Sequence, residues 1–408
     1  MMVDKKQIEQ WLKEGTITKA QAKKMLADTS HYKKERSSNK LIVAVSTIGA
    51  ILLGIGAILF IASNWQAIPN TIKMLILVGS TFGAYYIGYL FRYQKKNLPK
   101  VGASLIFLGA LLFGATVFLV AQIYNINANN HTLVLIWLVG VLPLVYAFAS
   151  VPIAVLSSLL FYIWIGLFVF RNISLTRGMG DLFSLPVLYL VSGVLLFGVG
   201  ALHYASDKLN NIARTYRIAG IKVGITSLFL LTFNIFSGKN LAEMRDSSQL
   251  AEWGLHFGTT NQFTISLVIF SVLAIVITII NLFFNISKQK TNILENSIGF
   301  GLIALAIIFF FFPATTNIYV IIFNLVLTGI IFTLLFVGYN NEDIKLVNIG
   351  MFWLSVLIVV RYFDWFWDLL PRSLFFIIGG LILVLGGIAL EKKRRQLSAK
   401  FNVRNGKK

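Results

Sequence analysis

The residues whose types and spacing could do chemistry crowd into one string near the C-terminus. Arg361, Asp364 and Asp368 stand at i, i+3 and i+7, so a helix that continues through them would carry all three on one face. Arg372 follows directly after Pro371, a residue suited to opening the next helix. Tyr362, Phe363, Trp365, Phe366 and Trp367 surround these charges with aromatic bulk. Such a set predicts an ion pair of Arg361 with Asp364 that faces a protein interior, since an unpaired guanidinium turned to lipid would be costly. Two readings follow. The pair is a clamp that closes the end of a helix bundle, or Arg361 receives an anionic group, such as a lipid phosphate, in its planar fork. The nearby carboxylates already neutralise the arginine, which favours the clamp. Asn64 and Trp65, and Gln122, Tyr124 and Asn125, form two further amide- and aromatic-bearing turns and are the secondary candidates.

Other chemistry is excluded by composition. The chain has no cysteine, which removes disulfides, thiol catalysis and cysteine-ligated metals. Its four histidines, His31, His131, His203 and His256, show no ligand spacing, so no metal site is expected. No phosphate-binding loop or zinc-protease helix is present, and Gly178-Met179-Gly180 reads as a loop rather than a nucleotide fingerprint. The segment 237–261 holds Glu243, Arg245, Asp246, Glu252, Trp253 and His256 without an arrangement of nucleophile, base and carboxylate. No cofactor and no catalytic residue is assigned.

The elements that must position these residues are membrane spans. Of the 408 residues, 57% are hydrophobic and 13% charged, far from the even mix of a soluble domain. The apolar residues fall into runs of about 20, long enough to cross a bilayer of ~30 Å. Twelve helices are predicted, at about 41–62, 71–91, 101–124, 131–149, 151–170, 182–204, 214–236, 262–285, 293–312, 316–338, 345–363 and 371–390. The fourth and fifth, separated by Ser150, form either a very tight hairpin or one broken helix. With the N-terminus inside, 28 of the 36 Lys and Arg residues fall on the cytoplasmic side. That bias predicts both termini in the cytoplasm. The net charge of +20 is therefore a topology signal, and nucleic acid is not an expected partner.

The ends are basic. Residues 1–40 read as a cytosolic helical leader, 41–390 as the transmembrane bundle and 391–408 as a basic cytosolic tail. In the leader, Ile8, Trp11 and Leu12 share one helix face, Gly15 ends that helix, and Thr18 with Gln21 forms a capping box for the next. Two short helices cannot build a core alone, so they must rest on each other, the membrane or a protein partner. In the tail, Lys392, Lys393, Arg394 and Arg395 are placed to hold anionic headgroups.

Three strings carry a resemblance. They are "QIEQWLKEGTITKAQAKKML" in the leader, "ASNWQAIPNTIKML" after the first span and "VRYFDWFWDLLPRSLFFIIGGLIL" near the end. Together they resemble the prokaryotic polytopic membrane family catalogued as domain of unknown function 2157. The resemblance implies a multi-pass protein of a bacterial-type inner membrane and implies no activity. A fainter internal echo sets Gly49-Ala50 and Gly54 of the first span against Gly109-Ala110 and Gly114 of the third. Helix packing explains it better than a transporter repeat.

The expectation is an all-α polytopic transmembrane bundle of about twelve spans with a short N-terminal helical hairpin. Span count and the absence of catalytic motifs favour a non-enzymatic transporter or lipid-flippase-like protein. The alternatives are a structural or assembly subunit of an envelope complex, and a membrane-embedded transferase acting at the outer face. The lipid bilayer, an anionic lipid, and a membrane or cytosolic protein bound through the leader are the expected partners.

Overall fold

The computed structural model describes residues 18, 21, 42, 44–60, 69–126, 130–170, 179–237, 260–284, 293–312, 314, 316–366 and 372–405. Among them, helix is the only regular structure. The long helices are α1 (Ala44–Phe60), then α2 (Asn70–Tyr89), α3 (Pro99–Ile123), α4 (His131–Phe148), α5 (Val151–Phe170), α6 (Met179–Leu202), α7 (Asn210–Leu231), α8 (Asn261–Phe284), α9 (Ile293–Phe311), α10 (Ile318–Asn340), α11 (Ile344–Phe366) and α12 (Arg372–Asn405). Eight helices are long and apolar enough to cross a membrane: those at α2, α3, α4, α5, α6, α8, α10 and α11. Shorter apolar runs lie in α1, α9 and α12. α7 falls outside both groups, because Arg214, Arg217 and Lys222 interrupt its apolar face.

Local chemistry sets several boundaries. Thr18 and Gln21 form the expected capping box, with Thr18 N–H donating to Gln21 Oε1 at 2.9 Å and Gln21 N–H to Thr18 Oγ1 at 3.3 Å. The other leader residues named above lie outside the described residues. Pro99 opens α3, where its missing N–H costs nothing. Asn130 caps α4 by accepting from Thr132 N–H at 3.0 Å. Between α4 and α5 the chain turns back within two residues: Ala149 adopts a left-handed conformation, φ 44° and ψ 45°, and Ser150 O accepts the first bond of α5 from Ala154 N–H. The fourth and fifth helices are thus a tight hairpin of two packed helices rather than one broken helix.

The chain divides into two compact units, residues 39–323 and residues 1–38 with 324–408. In the first, Ile106, Ala110, Val141, Val145, Ile153, Ala154 and Ile212 form the heart of a continuous apolar core. α6 is the most deeply buried helix and packs on α7, α8 and α9. The α6–α7 contact is made backbone to backbone: a Cβ on Gly220 would stand 2.5 Å from Gly193 O, so no larger residue fits that crossing. Three of the four glycines of the internal echo also make room for a neighbour, while a Cβ on Gly49 would meet nothing within 4 Å. Gly54 meets Leu111, Gly109 meets Tyr85 and Gly114 meets Trp137, each closer than a Cβ would permit. In the second unit, α10 and α11 meet at Leu335, Ile344, Val347 and Met351, and α12 packs on α11.

The outward faces are apolar. Leu52, Leu53 and Leu59 of α1, Val139 of α4 and Val155 of α5 are exposed, as is fitting where the solvent is lipid. Several hydroxyls inside the helices are satisfied within their own turn, as Thr81 donates to Leu77 O, Ser158 to Ala154 O and Thr278 to Ala274 O. The amide Asn281 bridges helices, its Nδ2 donating to Gly198 O at 2.9 Å.

Candidate functional site

The chain ends of unit 39–323 sort into two groups. Arg92 beyond α2 donates to Phe148 O at the end of α4. Tyr146 of α4 meets His203 at the end of α6, and Arg217 near the start of α7 meets Glu295 at the start of α9. One end of the unit therefore collects these termini. At the other end, Asp181 at the start of α6 meets Thr260 at the start of α8.

At the first end, polar side chains from five helices converge. Arg217 Nη2 donates to Glu295 Oε2 at 2.5 Å, with both side chains only about a fifth exposed. The guanidinium carbon lies 4.5 Å from the ring centre of Phe197 and 5.4 Å from that of Tyr204. Ring faces attract the cation by about 0.5–2 kcal/mol each, so the arginine is held by two rings and a carboxylate together. His203 precedes Tyr204 in the chain. Its Nδ1 stands 2.7 Å from Val199 O, an acceptor only, so Nδ1 carries the proton and Nε2 accepts from the Tyr146 hydroxyl at 3.0 Å. The His203 and Tyr146 rings are stacked, 5.5 Å apart at 9°. Tyr216 packs edge-on to His203 and shares a hydrogen bond of 2.9 Å with Ser157 of α5. This knot links α4, α5, α6, α7 and α9 through side chains.

At the opposite end, the Asp181 carboxylate is almost wholly buried and accepts twice from Thr260, from N–H and from Oγ1–H, each at 2.7 Å. Thr260 in turn caps α8 by accepting from Phe263 N–H at 3.1 Å. A residue read from sequence as part of a loop is thus a buried staple between two helix starts.

In the second unit, Arg361 Nη1 donates to Asp364 Oδ2 at 2.6 Å, the i, i+3 pair that the spacing predicts. The arginine side chain is 11% exposed and the aspartate 47%. Asp368 lies outside the described residues, and Arg372 is the first residue of α12. On another face of α11, Val359, Tyr362 and Phe363 line an apolar cavity of about 170 Å³ with Phe376, Gly379 and Leu383 of α12.

Of the secondary candidates, Asn64 and Trp65 lie outside the described residues. Gln122, Tyr124 and Asn125 finish α3. Asn125 takes the left-handed conformation, φ 53°, while Ile126 N–H bonds Ala121 O and Asn125 N–H bonds Gln122 O. That is a Schellman stop, in which asparagine serves as well as any residue but glycine. Tyr124 is exposed beside it.

An all-helical architecture with eight membrane-length apolar helices, and exposed faces suited to lipid, defines an integral membrane protein of many passes. Residues 9–154 match the family described as "Predicted membrane protein (DUF2157)". The match covers the leader and the Asn64-Trp65 string, two of the three strings that carry the resemblance, and stops before the Arg361 string. No curated protein and no solved structure matches the chain.

The knot was missed in sequence because the pairs that join its different spans, Tyr146 with His203, Ser157 with Tyr216 and Arg217 with Glu295, are 57 to 78 positions apart. A faint signal existed in Glu295, a lone carboxylate at a basic span end.

Proposed function

We propose that the protein is a transporter or lipid-flippase-like protein of a prokaryotic inner membrane. It has twelve spans, both termini in the cytoplasm, a basic helical leader at 1–40, a bundle at 41–390 and a basic tail at 391–408. The polar knot carries this reading. In lipid, ionisable side chains between helices are costly and tend to mark sites of function or moving contacts. Here one breakable ion pair, Arg217 with Glu295, ties α9 to α7 at a single end. The charge bias makes that end the cytoplasmic one, because Lys95, Lys96 and Lys208 lie there. The knot then acts as an inner gate. When the knot parts, α9 and the α4–α5 hairpin lose their polar ties to the α6–α7 pair at this end, and their movement exposes the bundle's interior to the inner leaflet. Arg361 and Asp364 form the outer clamp.

Reconstitution tests this reading. Vesicles holding the purified protein and a trace of fluorescent phospholipid report lipid movement between leaflets when a membrane-impermeant reductant is added. Protein-dependent loss of the inner-leaflet signal, faster for Glu295→Gln than for the native chain, is expected. Folded protein that moves neither lipid nor entrapped solutes overturns the proposal.

A further inference from the structure

We infer that the corner where α2 ends binds the phosphate headgroup of an anionic membrane lipid. This inference stands apart from the transport reading and does not use the knot. α2 runs into a widened π turn, Leu90–Gln94, of a kind that recurs at functional sites. The turn presents Arg92 to the end of α4. There Nη2 donates to Phe148 O at 3.1 Å, and the guanidinium lies 5.3 Å from the centre of the Tyr93 ring. These two contacts fix the plane of the fork and leave its other N–H groups without a protein acceptor among the described residues. A planar guanidinium held in this way suits phosphate oxygens in pairs.

The surroundings favour an anion. Lys95 and Lys96 follow on the exposed turn, and no carboxylate among the described residues pairs with them or with Arg92. The first turn of α3 abuts the same place, since a Cβ on Gly102 would come within 2.8 Å of Arg92 N. Free backbone N–H groups at a helix start attract negative charge.

The surroundings also favour a lipid over a free ion. Phe82, Tyr86, Tyr89 and Tyr93 are spaced 4, 3 and 4 along α2, and all are exposed. They form an aromatic stripe that descends the helix to Arg92. Tyr93 packs on Tyr89 and on Phe148, with ring centres 5.5 and 5.9 Å apart. Amphipathic rings of this kind sit at headgroup level, and the apolar stripe above them lies where acyl chains run.

The test is lipid retention by the purified full chain in native mass spectrometry, after incubation with equal amounts of phosphatidylglycerol and phosphatidylcholine. The native chain should prefer the anionic lipid, with about fivefold contributed by each basic group near the headgroup. Lys95→Gln with Lys96→Gln, exposed changes that leave the packing alone, should remove most of the preference. Arg92→Gln should remove the rest, and Arg92→Lys should restore only part of it. Equal retention of both lipids by the native chain overturns the inference, as does a preference unchanged in the double lysine variant and in Arg92→Gln. Displacement of the bound lipid by millimolar inorganic phosphate would assign the corner to free phosphate and overturn the lipid assignment.

Discussion

Glu295→Gln removes the charge that faces Arg217 while keeping the side chain's shape. Its cost follows from where the pair sits. A fully exposed pair is worth about 0–1 kcal/mol, and stripping one partner from a fully buried pair costs about 3–5 kcal/mol. With both side chains about a fifth exposed, the site lies between these limits. The Phe197 and Tyr204 rings stay in place and continue to hold the cation. A glutamine oxygen also still accepts one hydrogen bond. A loss of about 2 kcal/mol is expected, near the value of a hydrogen bond to a charged group. For a chain of 408 residues, at about 2.1 cal/mol/K per residue, that corresponds to a fall in Tm of about 2–3 °C. The assay is thermal unfolding in detergent, followed by tryptophan fluorescence or by loss of the monodisperse peak. Arg217→Gln and the double variant complete a mutant cycle. If the pair is the link between α7 and α9, the two single losses overlap by at least about 1 kcal/mol in the double variant. Strict additivity, within about 0.3–0.5 kcal/mol, would refute the reasoning, because it would mean that the two charges do not sense each other.

Four further outcomes are expected. Gly220→Leu drives a side chain into Gly193 and Phe197 and should abolish folded yield, whereas Gly224→Ala, where a Cβ meets nothing within 4 Å, should be tolerated. Thr260→Val deletes one of the two bonds to Asp181 and leaves part of a buried carboxylate unsatisfied; it should lower Tm more than Thr264→Val, whose hydroxyl bonds only within its own helix. If Arg361 and Asp364 are a clamp, Arg361→Lys and Asp364→Asn should reduce folded yield together, while normal yield with lost lipid movement would favour a binding role. A reporter that works only in the cytoplasm should be active when fused after Lys408, and activity of a periplasmic reporter there would defeat the even span count.

The helices were legible because the signal for a span is composition over about 20 residues, which needs no partner. Local polar motifs were legible for a related reason. Thr18 with Gln21, and Arg361 with Asp364, are three positions apart, a spacing that meets on any helix. The knot and the staple were not legible. Arg217 finds Glu295 across 78 positions, and Asp181 finds Thr260 across 79. Such meetings depend on how each helix is rotated about its axis, and an apolar helix with lipid on one side and protein on the other carries only a weak record of that rotation. Ionisable residues at span ends were read as topology marks, which is sound for most of them. Asn125, an amide singled out as a secondary candidate, takes the left-handed conformation that a helix stop requires, a backbone role that its side-chain chemistry does not announce.

How the helices are joined in unit 39–323 decides where it can yield. α6 and α7 touch backbone to backbone at Gly193 and Gly220, and α7 again crowds Gly200, so neither helix can slide without steric overlap. α8 is fixed to α6 near both ends, by Asn281 on Gly198 O and by Asp181 on Thr260. These three helices form a strut. The α4–α5 hairpin reaches the strut through Tyr146 on His203, Ser157 on Tyr216 and the Tyr189 hydroxyl on Tyr162 O, and α9 packs on α6 and α8 besides meeting α7 through Glu295 on Arg217. The polar contacts at these seams join side-chain tips, which exchange partners by rotamer change. A conformational change is therefore expected to loosen these seams before the backbone-to-backbone crossing of the strut. The ion pair, the two tyrosines and the histidine lie on those seams, so polar groups costly to bury stand where opening would return them to water.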